Sequence, residues 1–147
     1  MSASKQLATF FLKGQWYGIN VTQVQEVTKE LPITRIPLAP AFVSGLINLR
    51  GQIATAISMQ HLFGMESDAT TERMNVICRV DGLLLSLLVD QVGEVVDASE
   101  SDFESAPGTI DPTIRRFVTG VFKMPGQLLS VLSTENLTKA INETMKE

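Results

Sequence analysis

Cysteine and histidine are almost absent: the 147 residues contain one of each, Cys78 and His61. A single thiol excludes an internal disulfide, which agrees with a reducing compartment, so the chain is read as cytoplasmic. The Asn-x-Thr triplets at Asn20, Asn136 and Asn142 are then not read as glycosylation sites. One Cys and one His also fall short of any usual metal-ligand set. Positive charge is scarce, with 12 Lys and Arg against 16 Asp and Glu, a net charge of −4 and no basic cluster. That excludes a nucleic-acid platform, which needs Lys and Arg gathered on one face. Long apolar runs are missing too. Leu83–Val89 is interrupted by Ser86 and is far shorter than the ~20 residues that span a bilayer, so no direct membrane insertion is expected. The apolar patch at Phe10–Leu12 lacks the basic region and cleavage pattern of a secretory signal.

The signatures of catalysis are also missing. There is no glycine-rich phosphate loop ending in lysine and no Gly-x-Ser-x-Gly elbow. Cys78 lies in an apolar run and reads as a buried, inert thiol, and His61 reads as a surface imidazole. Asp97, Glu100, Asp102 and Glu104 lack the spacing of a calcium loop and read as a solvated acidic loop. The expectation is a protein that is not an enzyme and holds no metal or cofactor.

What the chain does have is core-forming residues, 44% hydrophobic, in a length that suits a single domain. It also has an internal repeat. The stretch Gly45 to Phe63 reads as a strand, a break at Gly51, a second apolar run from Ile53 to Ile57, and a short helical turn that Ser58 caps. Shifted by 75 residues, it returns from Gly120: Gly45 meets Gly120, Gly51 meets Gly126, Gln52 meets Gln127, Ser58 meets Ser133 and Leu62 meets Leu137. Upstream, Gly14–Val27 aligns with Gly82–Val95, matching Val21 to Val89, Val24 to Val92, Glu26 to Glu94 and Val27 to Val95. Both echoes run in the same order, which indicates a duplicated unit. Two copies are too few for a solenoid, and two small sheets packed together fit better.

In chain order, Ala8–Leu12 and Trp16–Ile19 form a hairpin around Lys13, Gly14 and Gln15. Val21, Val24 and Val27, three residues apart, predict a helical turn that runs into an extended piece. Leu31–Pro40 carries three prolines and reads as a loop or edge, because proline donates nothing to a ladder. The polar stretch Met65–Asn75 reads as a flexible connection. Val76–Val80 and Leu83–Val89 flank the turn signal Asp81-Gly82. Asp97–Asp111 reads as a loop, and Phe117–Leu132 as the duplicate strands. Ser133–Lys146 is the one convincing helix, with Leu137, Ala140, Ile141 and Met145 in a stripe. Short strands with frequent turns place the fold in the all-β barrel class. On periodicity alone Val24, Val27, Val92 and Val95 read as core, and Arg50 as an ordinary solvated arginine.

The motifs carry a resemblance that alters this reading. Pro40-Ala41-Phe42-Val43, Gly45-Leu46-Ile47-Asn48-Leu49-Arg50-Gly51, Tyr17-Gly18-Ile19, Val24-Gln25-Glu26-Val27, Thr34-Arg35-Ile36 and Leu88-Val89-Asp90-x-Val92 resemble the CheW coupling proteins of bacterial chemotaxis. The likeness runs from Phe10 to about Leu137. It implies two intertwined five-stranded SH3-like β-barrels with a C-terminal helix in one domain over 1–147. The first sub-barrel would span about 15–75, the second about 76–132, and the helix 133–147. It implies a non-catalytic adaptor that links a CheA-type histidine kinase to the cytoplasmic tips of methyl-accepting chemotaxis receptors. The family's receptor groove maps to Val24, Glu26 and Val27, to Arg50, and to Val92 and Val95, with the kinase on the first barrel. The chain departs from the family pattern at Thr55–Gln60, which lacks a proline, a carboxylate and a second arginine. Ser58 in place of that carboxylate is expected to be structurally mild, since either residue caps a helix. Two alternatives stay open: a paralogue serving another motility or chemosensory pathway, and a small-molecule-binding β-barrel with the valine groove as its pocket.

Overall fold

The computed structural model describes residues 4–66 and 71–145; part of the polar connection expected at Met65–Asn75, and Lys146 of the predicted helix, lie outside them. Among the described residues, twelve strands and three helices follow one another as β1 (Ser4–Leu12), β2 (Gln15–Asn20), β3 (Val24–Lys29), β4 (Val43–Leu49), β5 (Gln52–Ser58), α1 (Met59–Leu62), β6 (Met74–Val80), β7 (Leu83–Val89), β8 (Gln91–Val92), β9 (Val96–Ser99), β10 (Phe103–Glu104), α2 (Pro112–Arg115), β11 (Val118–Met124), β12 (Gln127–Leu132) and α3 (Thr134–Met145). The protein is mostly β, as expected. The helical turn that runs into an extended piece is present, as the 3-10 turn Val21–Gln23 followed by β3 from Val24. One predicted detail differs. The acidic stretch from Asp97 is not a loop throughout: Asp97 lies in β9, Glu100–Asp102 is a 3-10 turn, and Glu104 ends β10. Helix α2 was not foreseen, although Asp111 accepts from the Thr113 N–H at 2.8 Å and Pro112 fills the first helical position, an ordinary helix start.

The strands form two sheets. One runs β10-β11-β12-β2-β1-β8, with β9 also on β1, and the other runs β3-β6-β7-β5-β4. The local hairpins are antiparallel, while β2 meets β12 and β5 meets β7 in parallel. The sheets therefore do not divide at residues 75 and 76: the first hairpin, β1–β2, joins the C-terminal pair β11–β12, and the middle hairpin β6–β7 joins β4–β5. Each sheet holds one hairpin from each repeat. The repeat itself is visible in register. A bulge between Val43 and Gly45 recurs between Val118 and Gly120, and β4, β5 and α1 are followed 75 residues later by β11, β12 and α3.

Closed barrels are not what the ladders draw. The segments that would close them are interrupted, one by the 3-10 turn at Glu100–Asp102 and the other by the prolines after Leu31, where only the single bridge Thr34–Leu46 forms. Alternation along each strand sorts its side chains into two populations. Phe10, Leu12, Tyr17 and Ile19 of one sheet meet Val76, Cys78, Leu85 and Leu87 of the other in the central core, where α3 adds Leu137, Ala140 and Ile141. On its other face each sheet covers a cluster of its own, Ile47, Leu49, Ile77 and Leu88 in one, Leu7, Phe122 and Leu129 in the other.

A buried polar network ties the hairpins together. Gln60, fully buried, donates from Nε2 to Asp90 Oδ1 at 2.7 Å, and Asp90 Oδ2 accepts the Lys13 N–H at 2.8 Å. Glu72 accepts from Ser58 Oγ at 2.7 Å and from the Gln60 N–H at 3.2 Å. Burial pushes the Glu72 carboxyl above its ordinary value of 4.5 despite these two hydrogen bonds, and nearby Asp90 adds to the upward push. The folded state then holds this proton more tightly than the unfolded chain. Its cost to stability is absent below about pH 4.5, grows as pH rises through the raised value, and is complete above it. Glu72→Gln is therefore expected to gain stability relative to the wild type across that window, read as urea midpoints over a pH series. A difference between the two that stays constant from acid to neutral pH would show that Glu72 titrates as it does in the unfolded chain.

Candidate functional site

The six sequence-named residues lie at two sheet edges. On β3, Val24 stands opposite Cys78, Glu26 opposite Ile77 and Val27 opposite Val76, with a bulge between Val24 and Glu26. The bulge puts Val24 and Val27 on one face, the face that Cys78 and Val76 turn to the central core, although three residues of regular strand would oppose them. Val24 is half-buried against that core, and Val27, one step outward, is 40% exposed. In the other sheet Val92 stands opposite Phe10 and is likewise half-buried against the central core, while Val95 is 57% exposed between β8 and β9. The core reading of the valines thus holds for the inner member of each pair and fails for the outer one.

Arg50 reaches this edge from the β4–β5 turn. Arg50 and Gly51 take φ values of 50° and 88°, the left-handed pair of a two-residue hairpin turn, and Asn48 Oδ1 accepts the Gly51 N–H at 2.9 Å. The guanidinium forms a bidentate pair with Glu26: Nη1 donates to Oε2 at 3.2 Å and Nη2 to Oε1. This fork geometry is the strong form of the interaction and fixes orientation as well as charge. The hydrogen bond from Arg50, followed by its charge, holds the Glu26 carboxyl below the usual carboxylate range, and Glu26 holds the guanidinium up. The Arg50 side chain is 69% exposed, so the pair presents a fixed polar feature on the edge strand, on the face opposite Val27, rather than a large store of stability. Arg79 braces the same edge, donating to Gln25 Oε1 at 3.3 Å and to Gln52 Oε1 at 2.6 Å.

The structure therefore brings Glu26 and Arg50 into contact, while Val27, the next residue of the edge strand, turns to the opposite face. Among the described residues no hydrogen bond or ion pair joins this group to Val92 or Val95. The cavity of about 350 Å³ near Leu31–Ile33 and that of about 420 Å³ beside Trp16 are lined by other residues, so neither is the valine-lined pocket expected of a small-molecule barrel. Burial pushes the Cys78 thiol up to about 12, which leaves it protonated and unreactive. His61 is exposed, its Nδ1 3.1 Å from Ser58 Oγ. Among the described residues no three His, Cys, Asp or Glu side chains are grouped to hold a metal ion, and no helix is long and apolar enough to cross a membrane.

The family model described as CheW-like domain matches residues 6–142. The chain belongs to that family. It is similar to "Chemotaxis protein CheW" of Treponema pallidum, 32% identical over 138 residues that cover 90% of this chain and 81% of that protein. The protein of the same name from Rhizobium meliloti is 26% identical over 92% of this chain and 88% of its own length. In structure the chain is similar to the scaffolding protein TtCheW from Thermoanaerobacter tengcongensis, with a TM-score of 0.79 and 32% identity over 89% of this chain and 90% of that one. Within this CheW-like fold, two of the resembling motifs have an architectural explanation. Asp90 of Leu88-Val89-Asp90 fixes the β1–β2 turn and holds Gln60, and Gly45 admits the crossing segment at Thr34. Glu72 gave no sequence signal, because it sits in a polar stretch that reads as a connection.

Proposed function

We infer that this chain is a non-catalytic coupling adaptor of bacterial chemotaxis, binding the helical cytoplasmic tip of a chemoreceptor and a CheA-type histidine kinase. The family match over residues 6–142 carries this reading. The site geometry supports it: one edge strand carries an exposed valine on one face and a clamped Arg–Glu pair on the other, an apolar anchor with a polar rim that sets register. Val24, Glu26, Val27 and Arg50 supply the receptor edge on one sheet, and Val92 and Val95 supply the edge on the other. The likeness to the scaffolding protein also supports treating each sheet as an SH3-like barrel whose gap is spanned by a bent segment, Val24 to Thr34 in one and Val96 to Glu104 in the other. The adaptor works in the cytoplasm and reaches the membrane through its partners.

Co-sedimentation with receptor fragments and kinase from the same genome tests this function. The wild type is expected to form the ternary assembly and to raise kinase activity only when both partners are present. Arg50→Ala is expected to weaken receptor binding about tenfold, the loss of a charge-assisted contact of about 1.5 kcal/mol. Val27→Asp, which puts a carboxylate on an apolar anchor, should weaken it at least as much. Both variants should keep the wild-type circular dichroism spectrum, because neither side chain is buried. Full receptor binding by folded Arg50→Ala and Val27→Asp would remove this edge from the interface.

A further inference from the structure

The two repeats present an equivalent carboxylate, each at the edge of its own sheet, but only one of them neutralises it. Glu26 lies opposite Ile77 on β6, and the repeat offset of 68 residues places Glu94 against Thr9 on β1. The hydrogen bonds agree. Thr9 Oγ1 donates to the Glu94 carbonyl at 2.6 Å, and the Gly93 N–H donates to the Thr9 carbonyl at 2.8 Å. Gly93 permits this close approach, since a Cβ there would lie 2.4 Å from Thr9 Oγ1. The backbone at Glu94 is thereby fixed, with Val95 exposed next to it in the chain as Val27 follows Glu26, each valine on the face opposite its carboxylate. The cation differs. In the first repeat Arg50, in the β4–β5 turn, closes on Glu26, whereas the matching turn between β11 and β12 carries Pro125 at that place. Lys123 on β11 is held by Glu104 at 2.7 Å. Among the described residues no cation is within ion-pair distance of Glu94, which is exposed.

We propose that Glu94 is a specificity residue for the docked helical partner, taking in trans the Lys or Arg that the second repeat does not supply in cis. The partner would then be a helical segment that presents a basic side chain within a turn of the aliphatic residue seated on Val95. The proposal rests on the receptor-coupling reading above and deepens it. An unpaired carboxylate at the rim of an apolar contact selects for a basic partner, rejects an acidic one, and makes association salt-dependent.

The test measures binding of a chemoreceptor cytoplasmic hairpin fragment from the same genome at low and high salt. Wild type, Glu94→Gln, Glu94→Lys and Val27→Asp are compared. Glu94→Gln should weaken binding about three- to fivefold at low salt and flatten the salt dependence, the size expected of an exposed pair. Glu94→Lys should lose about tenfold or more, by turning attraction into repulsion. Val27→Asp should weaken binding and leave the remaining salt dependence driven by Glu94 in place. If Val27→Asp weakens binding while both Glu94 variants match the wild type in affinity and salt response, the specificity role is wrong and the adaptor reading stands. If the wild type does not bind the hairpin at all, both fall.

Discussion

Gly45→Ala is expected to cost about 4 kcal/mol or more, combining overpacking with backbone strain, a large share of a typical domain's stability of about 5–15 kcal/mol. A Cβ at Gly45 would lie 2.2 Å from the Thr34 carbonyl oxygen and 2.7 Å from the Ile33 side chain. That oxygen is backbone and already engaged. Thr34 and Leu46 exchange two hydrogen bonds of 2.8 Å, so the segment that crosses β4 has no room to retreat without breaking them. Gly45 also has φ +147°, a conformation that side chains rarely adopt. The repeat supplies a graded comparison. At Gly120 the nearest obstacle is the tip of the Phe103 ring at 2.2 Å, a side chain 40% exposed that rests on the Phe122 ring, with the Glu104 carbonyl behind it at 2.7 Å. Gly120→Ala should therefore cost less, about 2–3 kcal/mol. At Gly51 a Cβ meets nothing within 4 Å, so only the strain of φ +88° remains, about 1 kcal/mol. Urea denaturation followed by circular dichroism should give that order. Equal midpoints for Gly45→Ala and Gly51→Ala would show that the crossing segment does not pack against β4.

These glycines mark what could be read from the chain and what could not. Hairpins are local objects, so alternation, the turn signal at Asp81-Gly82 and the break at Gly51 locate β4–β7 to within about three residues. The 75-residue echo likewise placed equivalent strands and equivalent helix starts, and the structure adds a bulge at the same step of each repeat. The exchange of hairpins between sheets had no such signal. It depends on the parallel contacts of β2 with β12 and of β5 with β7, between segments far apart in sequence whose pairing leaves no turn residue to read. Hence the expected boundary at residues 75 and 76 falls where the sheets do not divide. At the site, Glu26 and Arg50 were named separately, but their pairing across 24 residues needs the β4–β5 turn to lie beside β3. The valines show the limit of periodicity. A spacing of three residues reads as a helical turn, and a bulged strand produces the same spacing on one face.

Ser58→Asp, expected from the sequence to be mild, is expected from the structure to destabilise the protein by about 2–4 kcal/mol at neutral pH. The cap itself is present in both repeats: Ser58 Oγ accepts the His61 N–H at 3.3 Å and Ser133 Oγ accepts the Asn136 N–H at 3.1 Å. An aspartate would satisfy either amide. The difference lies on the other side of Ser58, whose hydroxyl donates to Glu72 Oε1 at 2.7 Å in a site only 2% exposed. Aspartate has no proton to give there, and two carboxylates would face each other beside Asp90, a charge that already raises Glu72. The carboxylate that the CheW resemblance leads one to expect at position 58 is thus supplied in this chain from Glu72, and the serine is its donor. Ser58→Ala, which leaves a buried carboxylate oxygen short of one hydrogen bond, should cost about 1–3 kcal/mol, against about 1 kcal/mol for the cap alone in Ser133→Ala. Ser58→Asp combined with Glu72→Gln should recover most of the loss, because one carboxylate then remains and the amide can donate to it. Lowering the pH should also rescue the single variant, since the facing pair can share a proton. If Ser58→Asp unfolds at the wild-type urea midpoint at neutral pH, Glu72 does not face Ser58 in solution, and the cap is all that this serine provides.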